Sequence, residues 1–322
     1  MNERSRPRLV VVTDHNGLPE GALDGVKDLV DASVAMNPEQ LRAQLPEAEI
    51  VLAWDFRAKD LESVWHLASK VRWLSVSAAG VDALMFPSLV QSNVMVTNAR
   101  GVFDVPMAEY ALGLILHFGK RFDVAIQNQR EHLWSYHLSE MLAGSTVTVV
   151  GLGSIGRTFA GVARAMGMRV LGVRRGGTPD PIADEVFAVD RLHEALGRAD
   201  YVVIFTPRTP ETRGLFDRAA FAAMKPGAVL VNLGRGHVVD EEALVEALRS
   251  GHLRGAASDV FAQEPLPADS PLWDAPNHFI SPHCGGDDAE ANNRILALWS
   301  ANVRRYLNGE PLQSQVDTRL GY

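Results

Sequence analysis

Cysteine is almost missing: Cys284 stands alone among 322 residues. One thiol closes no intramolecular disulfide and builds no Cys-based zinc cluster, so nothing in the chain asks for an oxidising compartment. Long apolar runs are missing too. After M-N-E-R-S-R-P-R the first hydrophobic run is only Leu9 to Val12, too short for a signal-peptide core, and no run reaches the roughly 18 apolar residues of a membrane helix. Positive charge is in deficit, with 31 Lys plus Arg against 39 Asp plus Glu and a net charge of −8. Without a long basic run, that balance argues against nucleic acid or an anionic membrane as partner. Repeats and low-complexity tracts are absent. His132, His137, His237 and His278 show no ligand spacing, so no metal is expected. The expectation is a soluble cytoplasmic protein that acts on a small molecule.

What is present is ordinary globular material, 47% hydrophobic and 22% charged. At about 150 residues per domain the length suggests two domains. Short, nearly continuous apolar runs (Leu9–Val12, Ile50–Ala53, Trp73–Ser77, Val147–Val150, Arg169–Val173, Tyr201–Phe205, Ala228–Asn232) read as strands buried on both faces of parallel sheets. Between them Leu61–Lys70, Ile155–Ala165 and Glu241–Ser250 have helical period. The alternation is that of a doubly wound α/β protein. Breaks near Asn98–Pro106 and Ser281–Asp288 flank the segment that carries the glycine-rich motif and suggest one domain, 100–286, inserted within another made of 1–99 and 287–322. Each break precedes a helix, one over Ala108 to Phe118 and one from about Ala289 to Leu307. The first is apolar nearly all round, so it belongs in a core or against a second subunit.

The most specific local signal is Gly151-Leu152-Gly153-Ser154-Ile155-Gly156, which follows a strand and opens a helix. The first glycine permits a tight turn, the second lets a pyrophosphate approach the backbone, and the third lets helix and strand pack closely. Free N–H groups at the helix start then hold the phosphates, with Ser154 and Ile155 in the first turn. The next strand ends in Gly172-Val173-Arg174-Arg175-Gly176-Gly177. An acidic residue there would suit the ribose hydroxyls of NAD(H), whereas two guanidiniums suit the 2′-phosphate of NADP(H). NADP(H) is therefore preferred and NAD(H) remains the alternative.

Three later segments each end a strand-like run: Asn232-Leu233-Gly234-Arg235-Gly236, Asp259 to Pro267, and Ser281-Pro282-His283-Cys284-Gly285-Gly286. Ligands gather beyond the carboxyl ends of parallel strands. An Arg, a Glu and a His gathered there have an evident chemistry. Arg fixes a carboxylate and polarises the neighbouring carbonyl, His exchanges a proton with the oxygen, and Glu holds the imidazole and favours its protonated form. Cys284 has no base arranged for it and reads as a small packing residue. Trp54 and Trp134 are candidate pocket walls, although tryptophans in such places are more often core or interface.

V-G-L-G-S-I-G, T-P-R-T-P-E-T-R-G-L-F, M-K-P-G-A-V-L-V-N-L-G-R-G, D-V-F-A-Q-E-P-L-P and S-P-H-C-G-G follow one another in order. Through them the chain resembles the D-isomer-specific 2-hydroxyacid dehydrogenases from about Trp73 to Gly286, and within them the glyoxylate/hydroxypyruvate reductase branch. The resemblance implies two Rossmann-like doubly wound domains with a cleft between them, the inserted one binding the dinucleotide and the discontinuous one the substrate. It implies Arg235, Glu264 and His283 as catalytic residues. Asp259 is implied near the nicotinamide carboxamide, with Thr206, Pro207 and Gly285 along the cofactor. Ala79 and Gly80 are implied as backbone amides for the substrate carboxylate, joined by Arg235; Trp54, at the end of the strand Ile50–Ala53, is placed near the substrate by its position alone. A homodimer built on the helix after Asp104 is implied as well. Arg174 and Arg175 depart from the acidic residue many members carry, and Arg208 replaces a residue that is often neutral. The rival to an enzyme is a nucleotide-sensing binding module on the same scaffold. An intact Arg–Glu–His set argues against that rival.

Overall fold

The computed structural model describes residues 6–14, 17–55, 58 and 60–321. It divides into two compact units, one running up to Val102 and resuming at Asp288, the other Phe103–Asp287. Among the described residues no helix is long and apolar enough to cross a membrane.

The first unit holds a five-stranded parallel sheet: β1 (Arg8–Val12), β2 (Asp31–Ala35), β3 (Ile50–Ala53), β4 (Trp73–Val76) and β5 (Met95–Thr97), in the order β2-β1-β3-β4-β5. The second holds seven: β6 (Thr146–Val150), β7 (Arg169–Val173), β8 (Glu185–Phe187), β9 (Tyr201–Ile204), β10 (Val229–Asn232), β11 (Gly255–Ser258) and β12 (His278–Ile280). Their order is β12-β11-β10-β9-β6-β7-β8, every neighbour parallel, so the strand order reverses between β6 and β9. That reversal is the topological switch point of a doubly wound sheet, beside which ligands gather in such folds.

Burial on both faces follows from the alternation of side chains along each strand. Val10 and Val12 of β1 join one apolar cluster with Leu41, Leu61 and Trp65, while Leu9 and Val11 pack with Trp299 and Val303 of the helix Ala291–Asn308. In the larger sheet Val147 and Val149 of β6 meet Phe159, Ala160 and Ala163 of the helix Ser154–Ala165, and Val202 and Ile204 of β9 meet Phe216, Phe221 and Leu244. Each such aliphatic side chain, fully buried, contributes about 1.5–3 kcal/mol.

The helix Asp104–Gly119 packs along Ser154–Ala165 and buries Ala108, Ala111, Leu114, Ile115 and Phe118. Its other face leaves Val105 exposed and Leu112 and Leu116 partly so. The expected helix Leu61–Lys70 is shorter in the structure. It is α-helical only over Leu61–Val64 and tightens to a 3₁₀ turn over Trp65–Leu67. Val64 has already left helical geometry, and Trp65 turns edge-on to Phe86 with ring centroids 5.4 Å apart. Local periodicity gives way there to aromatic packing.

Candidate active site

The glycine-rich turn leaves β6 at Gly151, whose φ of +102° suits glycine alone; a methyl group there would lie 3.0 Å from the backbone of Phe205 and Thr206. At Gly156 a methyl would sit 2.0 Å from the Gly151 carbonyl oxygen, so helix and turn are in direct contact. Gly153 faces open space and is the N-cap residue of the helix Ser154–Ala165, which has no side-chain cap bond. Uncapped N–H groups beside open space form an anion site. Ser154 donates its hydroxyl to Asp104, and Ile155 packs against the apolar cluster beneath the helix. Across the turn, the Thr206 hydroxyl oxygen is buried with no hydrogen-bond partner among the described residues, and Pro207 follows it. An orphaned buried hydroxyl next to an open phosphate cradle fits a polar cofactor lying along this edge.

Arg174 and Arg175 leave the end of β7, the first half-buried and the second exposed. The sequence shows no carboxylate in this turn. In the structure, however, Asp180 folds back from the following loop, its side chain only 2% exposed, to take Arg157 and, at 3.7 Å, Arg174. Arg175 helps hold the Glu211 carboxyl below its usual range, a shift led by the Thr209 hydroxyl. The basic turn is thus partly balanced by acids that lie downstream in sequence.

At the carboxyl ends of β10, β11 and β12 three loops meet. In the first, Asn232 ties the turn by donating to the Arg235 carbonyl at 3.3 Å and accepting the Gly234 N–H at 3.2 Å. Arg235, half-buried, donates to the Gly234 carbonyl at 2.9 Å. Gly236 presses on the second loop: a methyl there would be 1.8 Å from the Phe261 carbonyl carbon. In that second loop the Phe261 N–H holds Oε1 of Glu264 at 3.0 Å, leaving Oε2 to meet Nδ1 of His283 at 2.8 Å. A carboxylate only accepts, so Nδ1 carries the hydrogen and Nε2 is the ring atom that faces away from Glu264.

The third loop hangs from Asp259, which is 1% exposed. Its Oδ1 accepts the Ser281 hydroxyl at 2.7 Å and the Cys284 N–H at 3.0 Å, and its Oδ2 accepts the Gly285 N–H at 2.9 Å. This lattice holds His283 at φ +56°, a left-handed geometry uncommon for a non-glycine residue. Tyr110, from the helix Asp104–Gly119, closes against Gly285 and reaches Cys284 Sγ at 4.0 Å. Burial, then the charge of Asp259, pushes the Cys284 thiol up, which makes it a poor nucleophile and agrees with a packing role. Sequence reasoning singled out neither Tyr110 nor Asp180 nor Glu241, whose carboxylate accepts the Ala262 N–H at 2.7 Å.

In the first unit, Ala79 and Gly80 follow β4, with the Ala79 carbonyl fixed by Asn98 Nδ2 at 2.6 Å. Trp54 follows β3 and lies partly buried against the Leu9 and Trp299 cluster. Trp134 is fully exposed, within a stretch where Leu133, Tyr136, Leu138 and Met141 are exposed as well. Among the described residues no group of three or more His, Cys, Asp or Glu side chains is arranged to hold a metal.

Residues 112–285, more than half of the chain, match the family model for the NAD binding domain of the D-isomer specific 2-hydroxyacid dehydrogenases. The chain belongs to that family. It is 35% identical over 307 residues to the D-3-phosphoglycerate dehydrogenase of Mycobacterium leprae, a match covering 94% of this chain but 58% of that protein. The chain thus spans little more than half the length of these family relatives. It is 32% identical over 256 residues to the glyoxylate reductase of Korarchaeum cryptofilum, covering 77% of this chain and 76% of the other. Among solved structures it superposes with a TM-score of 0.85 and 26% identity on an NADPH-dependent glyoxylate/hydroxypyruvate reductase from Sinorhizobium meliloti, in complex with NADP and sulfate. That match covers 98% of this chain and 100% of the other.

Proposed function

We propose that the protein reduces a small 2-keto acid, glyoxylate or hydroxypyruvate first among them, to the D-2-hydroxy acid with NADPH. The observation that carries the reading is the His283–Glu264 pair at 2.8 Å, set beyond the carboxyl ends of the strands of the sheet whose β6 runs into the glycine-rich turn. In this reading the first-turn amides around Gly151, Gly153, Ser154, Ile155 and Gly156 take the pyrophosphate. Arg174 and Arg175 take a 2′-phosphate, Thr206 and Pro207 border the dinucleotide, and Asp259 and Gly285 lie at its nicotinamide end. Bound there, the reduced nicotinamide supplies the hydride.

The remaining work falls to this chain's side chains. Arg235 pairs with the substrate carboxylate and draws charge toward the keto oxygen, a fixed cation where negative charge develops. His283, as the imidazolium, gives its Nε2 proton to that oxygen as it becomes a hydroxyl and is left neutral with Nδ1–H on Glu264, which keeps the ring in the orientation that allows this. Ala79 and Gly80 are assigned as carboxylate amides and Trp54 as a wall that limits the substrate side chain. We assign a homodimer to the helix Asp104–Gly119, where Val105 is exposed, together with the exposed Leu133, Trp134, Tyr136 and Leu138, since exposed apolar side chains gathered in this way mark an association site. A lone, half-buried thiol suits a reducing cytoplasm.

The test is consumption of NADPH and of NADH by the purified protein with glyoxylate, hydroxypyruvate, pyruvate and phenylpyruvate. D-3-phosphoglycerate with the oxidised cofactors is the further arm, as the phosphoglycerate dehydrogenase relatives demand. Rapid NADPH oxidation with one of the smaller keto acids is expected. A preference for NADH overturns the role of Arg174 and Arg175 and leaves the reaction standing. Tight cofactor binding with no turnover on any arm moves the protein to a sensor.

A further inference from the structure

Two consecutive backbone donors in the loop after β11 point at two different carboxylates. The Phe261 N–H donates to Glu264, and the Ala262 N–H donates to Oε1 of Glu241 at 2.7 Å. Glu241 is the first residue of the helix Glu241–Arg249, whose N-cap is already supplied by Asp240 through the Ala243 N–H. It is half-buried, and that burial pushes its carboxyl above the ordinary range, whereas its neighbour Glu242 is exposed. A carboxylate drawn out of water toward a single amide fixes that amide's direction. The peptide so fixed is the one against which Gly236 is seated, with a methyl there only 2.2 Å from Ala262 N.

We propose that Glu241 is a positioning residue for the reaction. By holding the Ala262 N–H it locks the Phe261–Ala262 peptide, which seats the Arg235 turn on one side and aims Glu264, and through it His283, on the other. The proposal rests on Arg235, Glu264 and His283 being the reacting set. If that peptide rotates, the backbone that runs on from Ala262 to Glu264 shifts, Oε2 swings away from Nδ1, and the proton on Nε2 loses its line to the substrate. Small misplacements of this kind cost up to about a hundredfold in rate.

Three variants of the full chain separate geometry from charge. Glu241→Ala removes the acceptor, Glu241→Gln keeps a carbonyl oxygen at the same reach without charge, and Glu241→Asp keeps the charge one methylene short. The expected result is kcat lowered about tenfold to a hundredfold in Glu241→Ala and Glu241→Asp, with NADPH affinity within about twofold of the parent. Glu241→Gln is expected to return kcat to within about threefold. In parallel, the downfield proton NMR signal of the His283 Nδ1–H, held by Glu264, is expected to broaden or vanish in Ala and Asp and to persist in Gln. An unchanged signal and kcat in Glu241→Ala overturn the proposal. So does a ranking by charge, with Asp like the parent and Gln impaired. If Glu241→Ala does not fold, the Gln and Asp pair decides. The signal reads positioning without turnover, so a parent protein that reduces no 2-keto acid overturns the reaction alone and leaves the NMR series to judge Glu241.

Discussion

Around Asp259, Glu264 and His283, hydrogen bonds of 2.7–3.0 Å tie one loop to the next, whereas Arg174 and Arg175 stand in a turn that is largely solvated and balanced by one 3.7 Å ion pair and a nearby acid. Under the proposed function the two regions would divide the labour by physical means. Proton transfer needs atoms held to a fraction of an ångström, which charge-assisted bonds around His283 would provide. Choosing between two dinucleotides needs only charge at one place, which solvated guanidiniums would provide at little structural cost, although salt screens them. Substitutions at the first region should therefore alter rate or stability, and those at the second should alter cofactor preference alone.

The largest effect is expected from His283→Ala. Loss of the proton donor should lower kcat by about 10²–10⁴-fold while NADPH affinity, measured by fluorescence titration, stays within about twofold. Lost affinity with retained turnover would erase the contrast between the regions. Next comes Asp259→Ala, which strands the Ser281 hydroxyl and the Cys284 and Gly285 N–H groups. Hydrogen bonds to a buried charge are worth about 1.5–3 kcal/mol each, so an overall loss of about 3 kcal/mol in urea unfolding is expected. A loss below about 1 kcal/mol would mean that the third loop is held by something else.

Replacing Arg174 and Arg175 together by alanine should weaken NADPH binding about tenfold or more, leave NADH binding unchanged, and shift stability by less than about 1 kcal/mol. The difference should shrink as salt rises from about 50 to about 500 mM, as solvated charges require. Equal losses for both cofactors would make these arginines structural.

The smallest effect belongs to His278, at the start of β12 and so at the opposite end of that strand from the His283 loop. Its Nδ1 meets the Leu272 carbonyl at 3.2 Å and its Nε2 the Ser258 hydroxyl at 3.0 Å. Burial pushes the imidazole below its ordinary value, with the Leu272 carbonyl pulling the other way. The native state then takes up this proton at lower pH than the unfolded chain does. The stability that this group contributes is complete above about pH 6.5 and is lost as pH falls below it. His278→Gln should therefore flatten the fall of Tm between about pH 7.5 and 5.5 without touching kcat. A fall as steep as the parent's would assign the pH dependence to other groups.

The sequence made some of this legible and hid the rest for physical reasons. Strands such as β6, β9 and β10 are continuous apolar runs because both faces are covered, and they stand out. β2, D-A-S-V-A, and β8, E-V-F, are edge strands that begin on an acidic residue and are only partly covered, and no apolar run marks them. The glycine-rich turn is readable because Gly151 and Gly156 answer to backbone geometry that no other residue meets. Glu264 and His283 are readable through the motifs around them, and their mutual bond is what those motifs cannot state. Glu241 acts on a backbone amide 21 residues on and Asp180 on Arg157, 23 residues back, as well as on Arg174, so no local pattern betrays them.

The central claim is that hydride passes to C2 of a 2-keto acid while His283 protonates the oxygen. The most direct measurement follows the label: NADPH carrying deuterium at the reactive C4 position is incubated with hydroxypyruvate, and the product is analysed by mass and by chiral chromatography. The account predicts the D-2-hydroxy acid carrying one deuterium at C2, formed by the parent protein at least about a hundredfold faster than by His283→Ala. Product without label at C2, or of the L configuration, would contradict it.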